Sequence, residues 1–163
     1  MRQEDARNIV LYHKNIPGMI RVFRQQREDL MLNYDSAKAV VISDMPHGSD
    51  GVDTTELFGI AAAEKNVSGR LRQIESCIAM LEQDRDVITS VLDMLNGEYK
   101  TLLIYKLVFD YSWTKVSMSL SVAESTLRYR FDLALERLAE CLTEYLVETG
   151  TDEAIVKRAS RAR

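Results

Sequence analysis

Between residues 57 and 95 the chain sets a side chain on one helical face at every third or fourth position. The series is Leu57, Ile60, Glu64, Val67, Leu71, Ile74, Ile78, Leu81, Arg85, Ile88, Leu92 and Leu95. Ten of those twelve are apolar, with Glu64 and Arg85 as the exceptions. A stripe so long and narrow predicts one helix with a coiled-coil seam rather than the wider face of a globular helix. Gly69 weakens it by about 1 kcal/mol relative to Ala. Upstream, Ile16, Ile20, Phe23, Arg27, Leu30, Tyr34, Ala37 and Val41 repeat the spacing, with Arg27 as the one charge. Residues 3 to 14 predict a short helix stopping near "NIPG". Pro17 then opens the next helix, because its missing N–H is no loss in a first turn. The stretch "SDMPHGSDGVDTTE" predicts a polar loop over residues 43–55, with Thr54 or Thr55 capping the second striped helix. Two striped helices joined by such a loop can fold back as an antiparallel hairpin and bury both seams. The same stripes also suit the core of a compact bundle.

The pattern changes at "LNGEYK" (95–100), where Asn96 and Gly97 suit a helix end. A helix from Glu98 to about Phe109 carries a broader apolar band. The segment "DYSWTKVSMSLSVAESTLRYRFDLALERL" (110–138) then reads as two helices around a tight corner. Ser112 is placed to cap the first, from Trp113 to about Leu120, with Trp113, Val116, Ser117 and Leu120 inward. Small Ser117 suits a point where another helix crosses closely. "LSV" (120–122) makes the corner. The second helix, starting near Ala123 or Glu124, turns Leu127, Phe131, Ala134, Leu135 and Leu138 inward. The C-terminal "GTDEAIVKRASRAR" reads as a short helix or, in preference, a solvated basic tail. The expected division is therefore a helical arm over 1–95, a second domain over 96–147 and a tail over 148–163.

Composition narrows this picture. Two prolines and seven glycines in 163 residues leave few breaks and favour an all-α fold. A net charge of −4 gives no global attraction to nucleic acid, so any such binding must rest on a local surface. Cys77 and Cys141 lack metal-ligand spacing and read as buried reduced thiols of a reducing cytoplasm. No apolar run approaches a membrane span of about 18 residues, and "MRQEDARNIV" does not read as a signal peptide. His13 and His47 have no ligand partners at metal spacing, so neither a metal nor any other cofactor is expected. Met45, Met80, Met94 and Met118 read as gap fillers. No glycine-rich phosphate loop, nucleophile elbow or paired-carboxylate pattern suggests an enzyme.

The corner segment resembles the helix-turn-helix of sigma-factor region 4 and its relatives. Ser112, Trp113, Val116, Ser117, Leu120, Val122, Thr126, Leu127, Arg128, Arg130, Phe131, Ala134 and Leu138 match that pattern in register without a gap. It departs at Ser121, where the usual residue is Gly, and at Ala123, where the usual cap is Ser. The wider layout is similar to small phage-encoded transcriptional regulators of the RinA/ArpU type. The resemblance implies an N-terminal coiled-coil-like hairpin, a C-terminal helix-turn-helix, binding to double-stranded DNA, and control of late phage genes through host RNA polymerase.

On that reading the second helix offers its first turns to a groove. Arg128 is the first candidate for base contact, since a guanidinium bridges the two acceptors of guanine. Glu124, Ser125 and Tyr129 flank it as base or backbone readers, while Thr114, Lys115 and Thr126 are candidates for phosphate. Arg130 suits a backbone clamp or an ion pair with Asp132 or Glu136. Acids and bases roughly balance between Lys100 and Glu140, so one copy should bind modestly and a homo-oligomer, a dimer before others, is expected. Two other readings stand beside it. One is a small terminase subunit for phage DNA packaging, although those usually place the DNA-binding part first. The other is a helical protein-interaction module that touches no DNA.

Overall fold

The computed structural model describes the backbone of residues 2–43, 54–150 and 154–162, and their side chains except those of 37–43 and 54–61. The chain is all-helical, with no strand among the described residues. The elements are α1 (Gln3–Ser43), α2 (Thr54–Asp93), α3 (Gly97–Leu103), α4 (Trp113–Leu120), α5 (Glu124–Thr149) and α6 (Ala154–Arg161). Two compact units divide it: Gly18–Leu81 form one, and Met1–Pro17 with Glu82–Arg163 form the other. The expected polar loop falls on residues 44–53, outside the described residues. No described helix is long and apolar enough to cross a membrane.

The break expected at "NIPG" does not occur, and α1 runs through Pro17. An internal proline costs a helix about 3 kcal/mol by removing one hydrogen bond and crowding the preceding turn. Burial on either side offsets that: Ile9, Val10, Tyr12 and Ile16 are sealed in one unit, and Ile20 in the other. Local chain chemistry loses here to packing. Pro17 nevertheless marks a boundary, since the two units divide immediately after it.

The larger unit holds the main core. Leu102 and Leu103 of α3, Val116 of α4, and Leu127, Ala134, Leu135, Leu138 and Leu142 of α5 are all buried. Both α3 and α4 pack on α5. Asn96 caps α3, its Oδ1 accepting from the backbone N–H of Glu98 at 2.9 Å and of Tyr99 at 3.1 Å. α3 does not continue regularly to Phe109 but widens into a π-helical turn over Ile104–Val108. Asp110 then takes a left-handed conformation at φ 52°. The segment expected as a tail is helical as α6, with Ile155 and Ala159 buried. Arg158 fastens it by a two-pronged ion pair to Asp84, Nε donating to Oδ2 at 2.7 Å. The Tyr12 hydroxyl donates to the same carboxylate at 2.8 Å. Asp84, only 3% exposed, thus finds three donors and costs little to bury.

In the smaller unit the seam positions Phe23, Leu30, Tyr34, Val67, Leu71, Ile74 and Ile78 are only half-buried. Among its described residues only Ile20 and Leu81 are buried hydrophobics. The Tyr34 hydroxyl donates to Glu64 at 2.7 Å. A groove of about 420 Å³ lies between Phe23 and Leu30 of α1 and Ile74 and Cys77 of α2. Cys77 is therefore half-exposed, unlike buried Cys141. Met80, Met94 and Met118 also stand at the surface rather than filling gaps.

Candidate nucleic-acid interface

The segment from Ser112 to Phe131 folds as two helices meeting at a corner, and each part of that corner has a local cause. The Ser112 hydroxyl accepts the Lys115 N–H at 3.2 Å and starts α4. Ser121 ends it in the left-handed region, at φ 54°. That conformation costs a residue with a Cβ about 1–2 kcal/mol. Ser117 holds the bend: its carbonyl accepts the N–H of Val122 at 3.3 Å, and its hydroxyl donates to the Val122 carbonyl at 2.7 Å. Ser117 matters here as a hydrogen-bonding strut as well as for its small size. Ala123 gives α5 no side-chain cap. Glu124 supplies negative charge in the first turn instead, which suits the positive end of the helix.

Leu127, Phe131, Ala134, Leu135 and Leu138 lie on the buried side of α5. Trp113 packs edge-on against Phe131, with ring centres 5.5 Å apart. The opposite side of the first turns is open. Ser125 and Thr126 are exposed, Tyr129 is 65% exposed, and the Arg128 side chain is 60% exposed.

The structure links three of the expected site residues directly. The Thr114 hydroxyl donates to Glu124 at 2.8 Å, and Glu124 lies 3.9 Å from the Arg128 guanidinium. The guanidinium also sits 5.2 Å from the centre of the Trp113 ring. Arg128 is therefore held by a ring and a carboxylate while its donors remain accessible. The Lys115 ammonium lies over Tyr111, 3.5 Å from the ring centre. Arg130 is turned elsewhere: it pairs with Glu98 of α3 rather than with Asp132 or Glu136. That pair links α5 to α3.

Sequence reasoning missed the aromatic shelf before α4. The π-helical turn brings Tyr105, Phe109 and Tyr111 together, with centroid separations of 6.3, 5.5 and 5.5 Å. The Lys106 ammonium donates to the Tyr111 carbonyl at 2.5 Å and lies 4.7 Å from the Trp113 ring centre. The available signal was four aromatics in nine residues, Tyr105 to Trp113, a density that a regular helix would scatter around its axis.

His13 is a structural residue, its Nε2 lying 3.2 Å from the Thr89 hydroxyl. Burial, helped by Arg85, holds its pKa below the usual imidazole range. Among the described residues no cluster of His, Cys, Asp and Glu could hold a metal. Comparison with protein-family models, with curated proteins and with solved structures returned no match to this chain.

Proposed function

We propose that the chain is a sequence-specific binder of double-stranded DNA that uses the α4–α5 corner as a helix-turn-helix, with the first turns of α5 entering the major groove. The supporting observation is the open side of those turns. Ser125, Thr126, Arg128 and Tyr129 stand free of the protein's own core, while the five residues expected inward are packed. Arg128 reads guanine, a contact worth about 1–3 kcal/mol of discrimination. Thr114 and Lys115 hold the phosphate backbone and fix the register. Glu124 accepts from a cytosine amino group, or keeps Arg128 aimed until a base takes its place.

The same proposal assigns residues 18–81 to an antiparallel hairpin that pairs with a second copy. The stripe of Phe23, Leu30, Val67, Leu71 and Ile74 is left half-buried within the chain, and a matching stripe of a second copy would cover it. Two copies also double a weak local charge, which a chain of net charge −4 needs on DNA. In this reading the chain regulates transcription in the cytoplasm of a bacterial host as a phage or prophage product, with RNA polymerase as a second partner.

Nuclease footprinting on the DNA flanking its own gene tests the reading, with wild type and Arg128→Ala side by side. Protection by the first and its loss in the second is expected. Equal protection by both removes Arg128 from the interface, and protection by neither removes the DNA reading.

A further inference from the structure

The shelf formed by the π-helical turn has no assigned part in the proposed helix-turn-helix, yet it carries two cations beside it. Lys106 and Arg128 lie over the same indole, 4.7 and 5.2 Å from its centre, which puts the two charges within about 10 Å of each other. Lys115 stands over the neighbouring ring of Tyr111, 3.5 Å from its centre. Among the described residues no carboxylate pairs with Lys106 or Lys115, whereas Arg128 shares Glu124 and Arg130 is taken by Glu98. The acidic group nearest in sequence is Asp110, in the left-handed turn between them. An acidic chain therefore bears a local patch of three cations at the edge of α4 and α5.

The aromatic faces also order these charges. A lysine on a bare surface loses rotamer freedom when it meets a phosphate. Lys106, tied to the Tyr111 carbonyl and the Trp113 ring, has already lost much of that freedom. Ring faces hold a cation without neutralising it, so exposed Lys115 and half-buried Lys106 both keep their charge. Phe109, 54% exposed and stacked on Tyr111 at 5.5 Å, extends the shelf toward solvent.

We propose that Lys106 joins Lys115 on the 105–115 shelf as a second phosphate-binding element, which grips the duplex backbone beside the groove entered by α5. The inference rests on the DNA reading above and adds to it a strand contact outside the two-helix motif. Lys106 and the π-helical turn become parts of the interface, and the bound site becomes longer than α4 and α5 alone would cover.

Fluorescence anisotropy with a labelled mixed-sequence duplex tests it, over about 50 to 200 mM salt. The proteins compared are wild type, Lys106→Gln, Lys115→Gln, the double variant, and Lys106→Arg. Each neutralised phosphate contributes about 0.9 to the slope of log affinity against log salt. The slope is expected to become shallower by about 1 in each single variant and by about 2 in the double, with Lys106→Arg close to wild type. Circular dichroism establishes that each variant is folded. An unchanged slope in folded Lys106→Gln overturns the shelf while leaving the DNA reading intact. Should Lys106→Gln unfold, Lys106→Arg is compared with a folded Lys106→Met, and equal slopes in those two overturn it. Absence of any binding by wild type removes the DNA reading and this inference with it.

Discussion

At the residue scale two charged side chains, Arg128 and Asp84, are held in opposite ways. Arg128 is restrained by Glu124 and Trp113 without being covered, and in the proposed complex a base edge takes the place of Glu124. Replacing Glu124 by Gln removes the competing carboxylate and one repulsion toward phosphate. Glu124→Gln should bind mixed-sequence duplex several-fold more tightly, by about 1 kcal/mol, and discriminate less between sequences; competitive anisotropy measures both. The buried Asp84 is held oppositely, closed in by Arg158 and Tyr12. Arg158→Met leaves that carboxylate short of its countercharge. The expected loss is about 3 kcal/mol, the low end for a broken buried pair because Arg158 is itself partly exposed, and a melting point lower by about 6–12 °C. Tyr12 adds a pH dependence. Burial and the bond to Asp84 push its phenol up to about 12 from an ordinary 10. Its contribution is whole below about pH 10, where both folded and unfolded chains keep the proton. It is lost as the pH climbs from about 10 to about 12. Urea unfolding across that window should show a fall in stability that Tyr12→Phe reduces.

At the element scale the corner of α4 and α5 was legible because its chemistry is local. Ser112 as a cap, Trp113–Leu120 as a helix and the inward series from Leu127 to Leu138 follow from hydrogen-bonding side chains and period alone. The strained turn at Ser121 and the missing cap at Ala123 were legible too, as departures from what those positions favour. Ser121→Gly should stabilise the fold by about 1 kcal/mol, and Ala123→Ser by about 1 kcal/mol. Together they should raise the melting point by about 4–8 °C with duplex binding retained. What stayed hidden depended on distant partners. Pro17 signals a helix start, and only the packing of Tyr12, Ile16 and Ile20 keeps α1 unbroken. The π-helical turn after α3 has no period of its own to read. Arg130 had two acids close in sequence and chose Glu98, 32 positions away. Asp84 gave a faint signal: it falls on the same helical side as Leu81 and Ile88, where a carboxylate needs a partner, but nothing in the stripe names Arg158.

At the scale of the whole molecule the proposal gives the two compact units different tasks. The larger unit has a sealed core and carries the corner, so it can present α5 rigidly. The smaller has two buried hydrophobics among its described residues, and in the proposed dimer it is the part that a second copy covers. Phe23→Asp with Ile74→Asp places charges in its groove and should convert a dimer to a monomer in sedimentation equilibrium. A monomeric wild type contradicts the assignment. If the dimer is also what grips DNA, the monomeric variant should lose affinity even with α4 and α5 untouched.

The most direct test is selection from a random duplex library, with the bound fraction sequenced. The account predicts an enriched inverted repeat with a guanine in each half and half-sites about 10 base pairs apart or a multiple of that. A bound fraction no different in sequence from the input would contradict it.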